Sequence, residues 1–151
     1  MPVIPQKIYR AIEGKLRDRW TMVPRAEMAL CEAQVQAMDV SAPAMDGVHV
    51  QTGGQGSRVQ RGVENILAAE KRLEEARAWQ DVFRLMDRTF PFESTPEGAV
   101  AGYLYGNGMT VEQVCLATGR KRSTIIHIRD NYVAHCALFA AGRGLIDIRE
   151  E

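Results

Sequence analysis

Several features that would define a class of protein are absent from this sequence of 151 residues. No apolar run approaches the roughly 20 residues that a membrane-spanning helix needs, and the start of the chain, MPVIPQKIYR, lacks a signal-peptide core. The three cysteines, Cys31, Cys115 and Cys136, are odd in number and widely spaced, which argues against a disulfide framework and favours reduced core thiols. We therefore expect a cytoplasmic protein with no membrane partner.

The sequence also lacks net charge, because 19 Lys and Arg residues balance 19 Asp and Glu residues. This balance argues against a uniformly basic surface for nucleic acid and against an acidic disordered tail. It leaves room for a local basic site, because a sum does not say where the charges lie. The hydrophobic fraction of 46% is typical of a globular domain.

Patterns typical of catalysis and of cofactor binding are absent as well. The segment GGQG is too short for a phosphate-binding loop and lacks the Gly-Lys-Ser/Thr that would follow. No Cys or His cluster has zinc-ligand spacing, and no carboxylate or hydroxyl is placed to form a triad with His127 or His135. We expect a protein that is not an enzyme and that uses no metal or cofactor.

The first two thirds of the chain alternate between helical patterns and one Gly-rich segment. Apolar residues recur at spacings of three and four over about 5–20 and 24–38, and the short connection predicts an N-terminal helical hairpin within residues 1–38. Residues 39–57, rich in Gly, Ser and Pro, predict a flexible linker. Residues 58–90 predict a long central helix that acts as a spine or a dimer element. Its apolar stripe consists of Val59, Val63, Ile66, Leu73, Ala76, Trp79, Val82 and Met86.

Residues 91–151 carry capping and turn signals for three further helices. Thr110 is placed to cap the second of these helices, with Gln113 at the spacing of a capping box. Gly119 is expected to end that helix in a left-handed conformation. The third helix begins near Lys121 and runs to about residue 140. Packing of Val114 against Ile125 would give a helix-turn-helix whose second helix presents its first turn to a DNA major groove.

The first turn of this last helix combines basic and hydroxyl side chains. Arg and Lys neutralise phosphates or bind guanine edges, Ser and Thr bind phosphates or bases, and a helix N-terminus attracts phosphate. Residues 119–143 hold five Lys or Arg against one acid, so the neutral total conceals a local basic patch. The candidate DNA-binding residues are Arg120, Lys121, Arg122, Ser123, Thr124, Ile126, His127 and Arg129. Two alternatives remain open: Arg129 pairs with an acid on a neighbouring helix, or the whole turn is the solvated end of a helix in a plain bundle.

The segment YLYGNGMTVEQVCLATGRKRSTIIHIRDNYVAH resembles region 4 of sigma factors, in the form seen in ArpU/RinA-type phage late-gene regulators. The motif match covers about residues 99–140, and the layout of helices is similar over nearly the whole chain. The resemblance implies binding at a phage promoter and control of late genes. It also places four residues on the groove-facing side of the last helix: Arg122, Ser123, Ile126 and His127.

The remaining positions of the motif follow from the same resemblance. Thr124 and Lys121 fall near the DNA backbone. The chain departs from the pattern at Arg120, where an apolar residue is usual, and at Ile126, where a polar residue is frequent. Ile126 therefore either contacts a thymine methyl group or is buried against another part of the protein.

Together these patterns predict an all-α protein with a helical N-terminal hairpin, a long central helix and a C-terminal three-helix domain like sigma-70 region 4. We expect a sequence-specific regulator of transcription that binds double-stranded DNA and controls phage or prophage late genes. RNA polymerase and a second copy bound through the long helix are the expected protein partners. The alternatives are a DNA-packaging component like a small terminase subunit and a helical protein–protein adaptor that does not bind DNA.

Overall fold

The computed structural model describes residues 4–41 and 52–149, and within these ranges the chain is helical and contains no strand. The predicted all-α fold is confirmed. The α-helices are α1 (Gln6–Arg17), α2 (Met22–Ser41), α3 (Thr52–Thr89), α4 (Pro96–Ala101), α5 (Val111–Thr118) and α6 (Arg122–Gly142), and a π-helical turn, Gly102–Gly106, follows α4. None of these helices is both long and apolar enough to cross a membrane.

The helices on either side of the predicted linker extend further than the composition of residues 39–57 indicates. Helix α2 continues to Ser41 and α3 begins at Thr52, so both ends of the predicted segment 39–57 are helical and the prediction is wrong there. Because a helix pays its nucleation cost only once, α3 can extend backwards from the good helix formers that follow Ser57, despite the glycines. The remainder of the predicted linker, 42–51, lies outside the described residues.

The chain divides into two compact units, residues 1–20 with 78–151 and residues 21–77. Helix α1 belongs to the first unit and α2 to the second, so the predicted hairpin of residues 1–38 is not a compact unit of its own. The spacing of apolar residues indicates which face of α1 is buried, and Ile12 and Leu16 are the buried residues on that face. The spacing carries no information on which helix covers the face. In the structure, α1 packs against α6 and the π-helical turn.

The unit of residues 21–77 contains α2 and the N-terminal part of α3. The two helices approach closely, since a Cβ placed on Gly62 would lie 3.4 Å from the Cβ of Ala37. Larger apolar side chains of the predicted α3 stripe stay in solvent instead: Val59 is 53% exposed and Val63 is 52% exposed. Leu67, one turn further along, is 58% exposed. The apolar stripe of α3 is therefore buried only towards its C-terminal end.

The C-terminal helices are held by a small apolar core. Val114 of α5 and Ile125 of α6 are completely buried in one cluster with Val100 and Ile128, which confirms the predicted packing of these two helices. Exclusion of four branched side chains from water supplies the main force that joins α4, α5 and α6. The relative orientation of α5 and α6 is fixed by this core.

The helix ends on either side of the core agree with the predicted capping residues. The Thr110 hydroxyl accepts a hydrogen bond from the backbone N–H of Gln113, whose side chain accepts one in return from the N–H of Thr110, so the capping box is confirmed. Gly119 has a φ of 72°, a left-handed conformation that favours glycine, and this confirms the predicted end of α5. The turn between the two helices is therefore specified locally.

The cysteines differ in their surroundings. Cys136 is buried in α6, and its burial raises the pKa of the thiol to about 12. Cys115 is half-buried, and Cys31 is exposed on α2, so the prediction of a core thiol is wrong for Cys31. The apolar neighbours of Cys31 in sequence recur at helical spacing on a face that unit 21–77 leaves in solvent.

Two substitutions on α5 and α6 test the role of the small core. Ile125→Ala is expected to lower the free energy of unfolding by about 2–5 kcal/mol, because it removes buried methylene groups and leaves a cavity. Leu116→Ala is the control, since Leu116 is 87% exposed, and it is expected to change stability by no more than about 0.5 kcal/mol. Urea unfolding of both variants followed by circular dichroism gives the two values. Equal losses would show that the cluster does not hold the motif together.

Candidate nucleic-acid interface

The N-terminus of α6 differs from the N-termini of the two preceding helices. Thr95 caps α4 and Thr110 caps α5 through their side-chain hydroxyls. The N-cap residue of α6 is Lys121, which makes no side-chain cap, and the first turn of α6 contains no acid. Backbone N–H groups at a helix start carry partial positive charge, which here adds to the charge of nearby basic side chains. This end of α6 is therefore suited to bind an anion.

Most of the predicted DNA-binding side chains surround this helix end and are exposed to solvent. The exposed residues are Arg120, Lys121, Arg122, Ser123, Thr124 and His127. Ile126 is half-buried and is not a member of the buried cluster around Val114, so it is neither a core residue nor fully in water. The structure thus brings these residues together at the start of α6, just before the helix and on its first two turns.

Arg129 is placed differently from the other predicted residues. Its guanidinium lies over the ring of Tyr9 in α1, 5.6 Å from the ring centroid, and its Nη2 is 3.3 Å from Oδ1 of Asp130. The pair is therefore formed with an acid of its own helix, whereas the sequence had offered a neighbouring helix. The side chain of Arg129 is only 25% exposed. It contributes to the contact between α1 and α6 more directly than to an open surface.

Tyr9 completes this contact between α1 and α6. Its hydroxyl donates a hydrogen bond of 2.7 Å to Oδ1 of Asp130. Burial and then the hydrogen bond to Asp130 raise the pKa of Tyr9 above its usual range, so the hydroxyl keeps its proton and remains a donor. A second bond joins α1 to the π-helical turn, where the Tyr105 hydroxyl donates to Oε2 of Glu13 at 2.8 Å. Helix α1 is therefore bonded both to α6 itself and to the π-helical turn.

Two acids lie at the candidate surface: Asp130, which the sequence analysis counts but gives no role, and Glu112. Asp130 is seven residues after Ser123 and three after His127, which places it on the same side of α6. Glu112, in the first turn of α5, places its Oε1 3.3 Å from Nη1 of Arg122. The spacing within α6 could have indicated Asp130. The position of Glu112 depends on how α5 crosses α6, which no local pattern contains.

The charges at this surface are consequently not equivalent. Arg122 is paired with Glu112, whereas Arg120 and Lys121 form no ion pair within the described part of the chain. A guanidinium matches the geometry of phosphate and of the guanine edge, and an ammonium binds phosphate as a point charge. The arrangement therefore offers two unpaired cations for phosphates and one restrained guanidinium close to them.

Comparisons with protein-family models, with curated proteins and with solved structures found no match to this chain. What this surface can bind is therefore inferred from its own residues. Exposed cations, hydroxyls and helix N–H groups bind anions, and their placement at the start of a helix that projects from a buried core suits an extended, grooved polyanion.

The contact between α1 and α6 can be tested by removing one hydroxyl. Tyr9→Phe is expected to lower the free energy of unfolding by about 1 kcal/mol, because it removes a hydrogen bond to a carboxylate that is partly exposed. Tyr103→Phe is the matched control, since the ring of Tyr103 packs against Phe92 and its hydroxyl has no partner among the described residues. Thermal unfolding of the two variants and of the unmodified protein gives the loss of stability in each. A loss no larger for Tyr9→Phe than for Tyr103→Phe would contradict the proposed anchoring.

Proposed function

We propose that this chain binds double-stranded DNA by inserting the N-terminal turn of α6 into the major groove. The observation that carries the proposal is the exposed, basic and uncapped start of α6, which is supported by the buried core that joins α4, α5 and α6. The major groove is about 12 Å wide and admits an α-helix. Phosphates on either side of the groove would supply the negative charge that the first turn of α6 lacks within the protein.

The exposed residues take two roles in this proposal. Arg120, Lys121 and Thr124 bind the phosphate backbone and set the position of the helix, as phosphate contacts do generally. Base edges are read by the side chains that face the groove: Arg122, Ser123 and His127, with Ile126 against a thymine methyl group. Arg129 is left out of the reading set because it packs on Tyr9.

We further propose that DNA binding serves regulation of transcription, of phage or prophage late genes, without catalysis and without a metal or cofactor. The resemblance of residues 99–140 to region 4 of sigma factors supports this role. RNA polymerase is the proposed protein partner, which the regulator would contact while bound beside a promoter. Selection of binding sites from a genomic library with the purified protein tests whether a specific site exists and which genes lie beside it.

Substitutions at α6 separate the two proposed roles. Arg122→Ala is expected to cost about 1–3 kcal/mol in binding to a selected site and to relax the preference at one base position. Lys121→Ala is expected to weaken binding to all duplexes alike and to reduce the slope of log affinity against log salt by about 1. Fluorescence anisotropy with selected and random duplexes at several salt concentrations measures both effects.

The matched control for these variants is Arg88→Ala, an exposed arginine in the last turn of α3. It removes the same charge away from the proposed groove-facing turn, so its affinity is expected to remain close to that of the unmodified protein. A wild-type protein that fails to bind any duplex at low salt would contradict DNA binding and favour the adaptor.

A second copy of the chain, bound through the long helix α3, is the other proposed partner. Val59, Val63 and Leu67 follow one another at intervals of four residues and are each more than half exposed. Such an apolar stripe is typical of a surface that another helix covers. The same stripe favours a second candidate function, a packaging component like a small terminase subunit, because that role also requires self-association.

The mass in solution distinguishes the two assemblies. A dimer, at twice the 16.8 kDa of one chain, supports the regulator, and a ring of many copies supports the packaging component. Val63→Glu is expected to yield monomers, since a charge in the stripe must be desolvated, while Glu64→Gln on the neighbouring exposed position leaves the mass unchanged. Light scattering after size-exclusion chromatography gives these masses. A wild-type monomer at high concentration would exclude both assemblies.

A further inference from the structure

Within the basic turn of α6, Arg122 is the one cation that the described structure pairs with an acid. Its Nη1 lies 3.3 Å from Oε1 of Glu112, and both side chains remain largely exposed, at 69% and 64%. The pair bridges the first turn of α5 and the first turn of α6. It therefore lies at the edge of the surface to which we assign DNA binding.

The buried core fixes the distance between the two partners. Glu112 precedes Val114 by two residues, and Arg122 precedes Ile125 by three, and both apolar residues are completely buried in one cluster. Because neither helix can slide without opening this core, the two charged side chains start from fixed backbone positions. The pairing also suits the helices, since an acid is favourable and a cation unfavourable at a helix N-terminus.

An exposed ion pair of this kind is weak and exchanges readily for another partner. When DNA is bound, phosphates and the carboxylate of Glu112 compete for the same guanidinium. Phosphates occur on every sequence, whereas a guanine edge in the right place occurs only at a specific site. A carboxylate beside Arg122 also repels phosphates, so it penalises the contact that carries no sequence information.

We propose that Glu112 is a positioning residue that restrains Arg122 from binding phosphates and reserves it for a base edge. The inference rests on the proposed function and adds a determinant of specificity on α5, outside the helix that reads DNA. Its effect is to lower affinity for random DNA while the bidentate contact of Arg122 to a guanine preserves affinity for the selected site.

A double-mutant cycle tests the proposal with the full chain and two duplexes, one selected and one random. Glu112→Gln is expected to raise affinity for random DNA by about threefold and affinity for the selected site by less, so the ratio between them falls. In the Arg122→Gln background, the same change at Glu112 is expected to have little effect on either duplex. The capping box of α5 is formed by Thr110 and Gln113, so the substitution leaves it intact.

Glu93→Gln provides the matched control, because Glu93 is an exposed acid in the turn between α3 and α4. It removes one negative charge from the same unit without a contact to Arg122, and the ratio of affinities is expected to stay unchanged. Circular dichroism checks that all variants keep the helical content of the unmodified protein.

The outcomes separate this inference from the function on which it rests. An equal gain from Glu112→Gln with and without Arg122 would show a general charge effect and overturn the inference. An unchanged ratio of affinities would also overturn it, and in both cases DNA binding itself would stand. Failure of the unmodified protein to bind either duplex would overturn DNA binding and the role of Glu112 together.

Discussion

The burial of Val114 against Ile125 determines the geometry of the whole C-terminal motif. These side chains are completely excluded from water, and they lie within a few residues of the capped start of α5 and the basic start of α6. The left-handed turn at Gly119 allows the chain to reverse, but the apolar contact fixes the angle at which α6 leaves it. A basic helix end acquires a defined direction only through such a contact, because charges in water impose little order on a chain.

A second set of contacts supports α6 from the side of α1. These contacts are polar and aromatic, with Tyr9 between Arg129 and Asp130, and Tyr105 bonded to Glu13. One of the side chains involved, Arg129, is among those that the sequence assigns to DNA. The candidate surface at the start of α6 is therefore smaller than the eight residues that the pattern indicates, because Arg129 packs on Tyr9 of α1.

Sequence reasoning succeeded where structure is determined within a few residues. The capping box follows from the spacing of Thr110 and Gln113, and the end of α5 follows from the left-handed conformation that Gly119 adopts readily. It failed where the outcome depends on partners distant in sequence. The amphipathic pattern of α1 is equally compatible with α2 or α6 as its cover, and the composition of 39–57 could not show how far the flanking helices extend. The pair of Glu112 with Arg122 and the contact of Arg129 with Tyr9 depend on helix crossings in the same way.

The bond between Tyr9 and Asp130 spans 121 residues, with the unit of residues 21–77 encoded between its partners. A chain emerging from the ribosome therefore exposes the apolar face of α1 long before α6 exists to cover it. At roughly 5–20 residues per second, that interval is on the order of ten seconds. During this interval Ile12 and Leu16 lack the contacts that α6 provides. Helix α1, the first to be synthesised, is therefore among the last to reach its native packing. The unit of residues 21–77 is synthesised in full before α6, so it can fold during this interval.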